Sequence, residues 1–125
     1  RVPGHVGALH NLSRVLIESG QEEAAREVLQ QFQEMSKLRD EIDFNALAVR
    51  KNPDNIDGRL LLASLHMRAG RVQDALTGLH EARMLAPRDA RIYRSLAAAY
   101  RGLGDENNAL RADRFADSLG GKANH

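Results

Sequence analysis

The sequence has no cysteine and no tryptophan, and aromatic residues are only 4% of its 125 positions. Without thiols there can be no disulfide staple, no thiolate metal site and no cysteine nucleophile, and the redox character of the compartment leaves no trace. With so few rings, a core must be built from aliphatic and small side chains. Proline occurs three times, which leaves long stretches free to wind. Neither sign of charge is in surplus: 18 lysines and arginines stand against 17 aspartates and glutamates, a net charge of +1. That balance argues against general attraction to nucleic acid or anionic lipid. Apolar runs such as Leu60 to Ala63 fall far below the roughly 20 residues needed to cross a bilayer. Neither nucleic acid nor membrane is therefore expected as a partner. What remains is ordinary for one folded domain, with 42% hydrophobic and 28% charged residues.

What is present is a repetition. Shifting residues 56 to 121 by thirty-four places superimposes Leu62 on Leu96, Ala63 on Ala97, Gly70 on Gly104, Ala75 on Ala109, Ala82 on Ala116 and Leu85 on Leu119. Within one unit, Leu62, Leu65 and Ala69, then Val72, Ala75, Leu79 and Ala82, recur at helical spacing on either side of Gly70. Each unit is thus two helices around a glycine turn. Gly70 and Gly104 stand where a first helix must stop, and Pro53 and Pro87 follow second helices, where a missing N–H ends winding. The paired alanines carry no bulk beyond Cβ, so the helices can approach closely.

The series of leucine, small residue, His66 or Tyr100, glycine, alanine, apolar residue, alanine and proline resembles the tetratricopeptide repeat. It departs at the usual first-helix tryptophan, which is Arg59 in one unit and Tyr93 in the next. The resemblance implies an all-α fold, an α-solenoid of about three stacked antiparallel hairpins that holds a protein or peptide in a groove lined by first helices.

In chain order, repeat 1 is expected over about 6–55, repeat 2 over 56–89, repeat 3 over 90–121, with 122–125 a fraying tail. The first helix spans 6–19 with Leu9, Leu12 and Leu16 in register, and Gly20 ends it. The next has no glycine or proline from Gln21 to Asn52, while apolar residues run on through Met35, Leu38, Ile42, Ala46 and Val49. The spacing predicts either one overlong second helix of about 30 residues, roughly 45 Å, or a break near Ser36–Asp40. A whole helix would leave apolar surface around Phe44 and Leu47, and with Leu38 and Ile42 these form a candidate self-association face for a homodimer. Asp113 stands where Leu79 stands one unit earlier, and Glu106 where Val72 stands, so the last helix turns polarity outward. The absence of an initial methionine, and Pro3 preceding Val6 by the interval that separates Pro53 from Ile56, lead us to expect a piece of a larger protein with repeats upstream.

Candidate chemistry is thin. His5 and His10 face different sides of a helix, His66 and His80 belong to different helices, and no zinc-type histidine pair exists. Ser13, Ser36, Ser64, Ser95 and Ser118 lack an elbow motif, Gly102-Leu103-Gly104 lacks a following lysine, and Glu22–Glu23 and Asp40–Glu41 are consecutive and cannot face each other. No catalytic, metal or cofactor site is expected. One charge pattern stands out: Arg91, Arg94 and Arg101 fall on one stripe of a first helix, with Met67 and Arg68 in the preceding unit. By the resemblance this stripe faces the groove, where guanidinium forks suit an acidic or extended peptide and Met67 adapts to its apolar parts. The bland alternative is a solvated basic face neutralised by Asp57, Asp89 or Asp105. Some family members clamp a partner's terminal carboxylate; here Arg91 fits one such place, but His10, Arg14, Leu61 and Ser95 occupy the others. The expected function is an interaction scaffold without catalysis, the alternatives being oligomerisation through helix 21–51 or regulation or substrate delivery for a larger enzyme.

Overall fold

The computed structural model describes residues 21–120. Among these are five helices and no strand: α1 (Glu22–Lys51), α2 (Ile56–Arg68), α3 (Val72–Leu85), α4 (Ala90–Gly102) and α5 (Glu106–Leu119). The expected first helix over 6–19 and the tail lie outside the described residues. The chain divides into two compact units, residues 1–40 and 41–125.

The described part of the first unit is the opening of α1. Ala25 is buried there, and Phe32, Met35 and Leu38 are partly covered. α1 runs unbroken for 30 residues, so the helix is whole at Ser36–Asp40 and overlong, as one of the two expectations had it. Glu22 and Glu23 in its first turn and Arg50 and Lys51 in its last both complement the helix dipole, and no residue within it removes a donor or relaxes the backbone.

In the second unit, helices adjacent in sequence pack as hairpins. Asn55 caps α2 by accepting the Gly58 N–H at 3.1 Å. α2 and α4 end in the same way. Gly70 and Gly104 adopt φ of 78° and 80°, the left-handed region glycine enters without a Cβ clash. Around Gly70, the Arg71 N–H donates to the His66 carbonyl at 2.8 Å and the Gly70 N–H to the Met67 carbonyl at 3.1 Å. Around Gly104 the same two bonds run from Asp105 to Tyr100 and from Gly104 to Arg101. This paired closure satisfies carbonyls that a helix end would otherwise leave bare.

The core has the composition the sequence required. Ala63, Ala75, Ala82, Ala97, Ala99, Ala109 and Ala116 are buried with Leu79, Ile92 and Leu96, and Leu79 and Ile92 are its largest fully enclosed side chains. Small residues at the crossings bring backbones close, and the few branched residues fill what is left.

The departure from tryptophan has a structural equivalent in both repeats. Arg59 Nε donates to the Pro53 carbonyl at 2.8 Å, and the Tyr93 hydroxyl donates to the Pro87 carbonyl at 2.7 Å. Two unlike side chains thus tie the first turn of a first helix to the proline six residues upstream. Their second contacts also correspond. Arg59 pairs with Glu81 at 3.2 Å. Tyr93 meets Phe115, thirty-four residues beyond Glu81, edge to face at 4.6 Å between ring centroids. An ionic clamp in one hairpin is an aromatic clamp in the next.

Candidate partner-binding groove

The first helices of the two regular repeats, α2 and α4, lie side by side and each shows one exposed stripe. On α2 it comprises Asp57, Leu61, Ser64 and Arg68; on α4, thirty-four residues on, Arg91, Ala98 and Gly102 are exposed and Ser95 is half-buried. Steps of three and four keep such residues on a single helix face. Arg91 links the stripes: its guanidinium donates to Asp57 at 2.5 Å and to Asp89, the cap of α4, at 2.8 Å. That bond holds the Asp89 carboxyl below its ordinary range, chiefly through the side-chain hydrogen bond from Arg91.

The other arginines of the predicted stripe turn elsewhere. Arg94 reaches Asp117 at 2.5 Å and Asp113 at 3.5 Å, and Arg101 reaches Asp113 at 2.8 Å and Glu106 at 3.4 Å. Both therefore lean across to α5 and share Asp113. Their partners differ from the acids expected from sequence: Asp57 and Asp89 neutralise Arg91, whereas Asp105 is occupied as the cap of α5, accepting the Asn108 N–H. In register, Arg94 and Arg101 stand where Leu60 and Met67 stand one repeat earlier, and those two pack against the core. Met67 is consequently only half-exposed. Of the four arginines, Arg68 alone has no carboxylate partner among the described residues.

The candidate self-association residues separate as well. Phe44 and Leu47 are 73% and 43% exposed, but Ile42 is buried at 4%, so Ile42 is withdrawn from any surface by the inward turn of its helix face, and Leu38 is half-buried.

The histidines within the described region behave as packing residues. His66 and His80 each have a buried Nδ1 without a hydrogen-bond partner, and burial lowers both from their usual pKa. His80 Nε2 lies 3.4 Å from the Tyr100 hydroxyl. Among the described residues no group of three histidines or acids is placed to hold a metal ion, and no helix is long and apolar enough to cross a membrane.

Hairpins closed by positive-φ glycines, packed through alanines and presenting matched stripes on successive first helices, define a helical-repeat protein of the kind that serves protein interaction. The family model described as Tetratricopeptide repeat matches residues 45–100. It is similar in fold to the solved structures titled "Crystal structure of MamA" (20% identity, TM-score 0.63, covering 98% of this chain and 82% of that one) and "MamA MSR-1 C2" (22%, 0.64, 97% and 71%). A third, "Crystal structure of MamA protein", gives 20%, 0.63, 96% and 75%. No curated protein matches the sequence. The tetratricopeptide fold is typically a non-catalytic scaffold.

Proposed function

We propose that this chain holds a protein or peptide partner, of acidic character, along the stripes of α2 and α4, and that it performs no catalysis of its own. The observation that carries this reading is the pair of exposed stripes at equivalent positions on neighbouring helices. Small residues at Ser64, Ala98 and Gly102 leave room for a backbone to lie close. Arg68 offers a guanidinium without a carboxylate partner among the described residues at one side, and Arg91 a second that is shared between two carboxylates. Arg94 and Arg101 contribute to the field of the groove, but each must exchange a carboxylate of α5 for one of the partner. Acidic peptides titrated against Arg68→Glu and Arg91→Glu variants are expected to lose about tenfold or more in affinity, the scale of one charge-assisted contact. Unchanged affinity in both would remove the groove role.

A second reading is favoured by the 73% exposure of Phe44, an aromatic ring that a monomer leaves wet. Self-association through Phe44 and Leu47 predicts a dimer in light scattering that Phe44→Glu dissolves while helicity is unchanged. A chain monomeric at high concentration counts against it.

A further inference from the structure

The thirty-four-residue register also relates two crevices, each formed by a second helix, the following first helix and its partner. The earlier one, about 80 Å³, is lined by Val49, Arg59, His66, Asp74 and Glu81 among others. The later one, about 280 Å³, has Arg83, Tyr93, Tyr100, Asn108 and Phe115 at the corresponding places. The repeat has kept the crevice and inverted its chemistry. Both acids are gone, Asp74 giving way to Asn108 and Glu81 to Phe115, while Val49 gives way to a cation, Arg83. Arg111 adds a second where the earlier repeat has Thr77.

Neither Arg83 nor Arg111 has an ion pair among the described residues, unlike the arginines of α4. Asp105, the cap of α5, accepts from the Asn108 side chain at 2.7 Å and from its N–H. His80 brings a buried, unpartnered Nδ1 to the same wall. On α4 the crevice takes Tyr93, Leu96 and Tyr100, which fall on the face opposite Arg91, Ala98 and Gly102 at 3.6 residues per turn. The crevice is therefore separate from the groove proposed above and does not rest on it.

We propose that the crevice between α3, α4 and α5 is a second binding site, for an anionic side chain of a partner peptide flanked by an apolar residue. Arg83 and Arg111 grip the charge, and the exposed Phe115 ring, set edge to face against buried Tyr93, supplies the apolar surface for the neighbour. Two arginines lining one recess suit a single carboxylate or phosphate. A nucleic acid needs a track of cations along its backbone, which a chain of net charge +1 with two isolated arginines does not supply.

The test uses the full chain and fluorescence anisotropy of a labelled peptide of glutamate and phenylalanine, a phosphotyrosine version and a lysine version. A thymidine oligonucleotide of similar charge and free inorganic phosphate serve as competitors. Arg83→Val and Arg111→Thr install the residues found thirty-four positions earlier, Val49 and Thr77, so the fold is kept, and melting followed by circular dichroism checks it. In an Arg68→Glu background, where the groove proposed above contributes least, each variant is expected to weaken the acidic peptide about tenfold further. Titration is also expected to move the His80 ring proton resonances. The ratio between glutamate and phosphotyrosine peptides names the anion preferred, and competition by phosphate alone assigns the site to a free anion and overturns the peptide reading. The proposal is also overturned by absence of binding, by loss only in Arg68→Glu, by tighter binding of the oligonucleotide, or by a His80 resonance that stays put.

Discussion

At position 93 a tyrosine does what its counterpart arginine does at 59: it hands a hydrogen to the carbonyl of a proline six residues upstream. Tyr93→Phe keeps the ring against Phe115 and deletes only that donor, leaving the Pro87 carbonyl without it. A net loss of about 1 kcal/mol is expected, the ordinary worth of a buried neutral hydrogen bond, read as a lower urea midpoint with an unchanged slope. The departure from tryptophan was plain in the sequence. Its meaning was not, because two residues as unlike as arginine and tyrosine share a role only once the proline carbonyl is seen beside them. Glycines 70 and 104 were legible for the opposite reason: a left-handed helix end admits few other residues, so identity alone carried the geometry. The pairing of Arg94 and Arg101 with Asp113 lay hidden, since which carboxylate an arginine meets depends on what crosses the next helix, not on spacing within its own.

Among elements, the hairpins were readable from glycine and alanine positions, and the length of α1 from the want of any breaker between Gln21 and Asn52. The crevices were not, because superposing the repeats draws attention to what is alike, whereas the later crevice is made of what differs: Asn108 for Asp74, Phe115 for Glu81, Arg83 for Val49. The corresponding clamps permit a transplant. Arg59→Tyr with Glu81→Phe rebuilds in the α2–α3 hairpin the aromatic contact of the α4–α5 hairpin. Each single change breaks the ion pair without replacing it, so the double variant is expected to be more stable than the sum of the singles by about 1 kcal/mol. Urea melts of the four members of that cycle measure the coupling.

For the molecule as a whole, two half-buried histidines, each with an enclosed Nδ1, set a pH dependence. Folding lowers the pKa of His66, by burial and despite Asp74, and that of His80, by burial and by Arg83. The unfolded chain takes up protons near the ordinary value of 6.5, at a pH where the folded chain does not. Stability is thus full above that value and declines as pH falls below it towards the depressed folded values; the lowered carboxyl of Asp89 adds a further loss below its ordinary 3.8. Thermal midpoints measured between pH 7.5 and 5 should fall, and His66→Tyr with His80→Tyr should flatten the fall by removing both imidazoles, Tyr100 being the natural occupant of the His66 position one repeat on.

The lattice of Arg94, Arg101, Asp113 and Asp117 lies in the register where Leu60, Met67 and Leu79 receive the following hairpin. Rewritten as leucine, methionine and leucine, positions 94, 101 and 113 would form an oily shelf, and a second molecule would settle on it as readily as α4 settles on α3. A few interlocked charges thus stand at that face in place of apolar adhesion, and raising the salt, which loosens exposed ion pairs while strengthening apolar contact, is the condition under which their hold is thinnest.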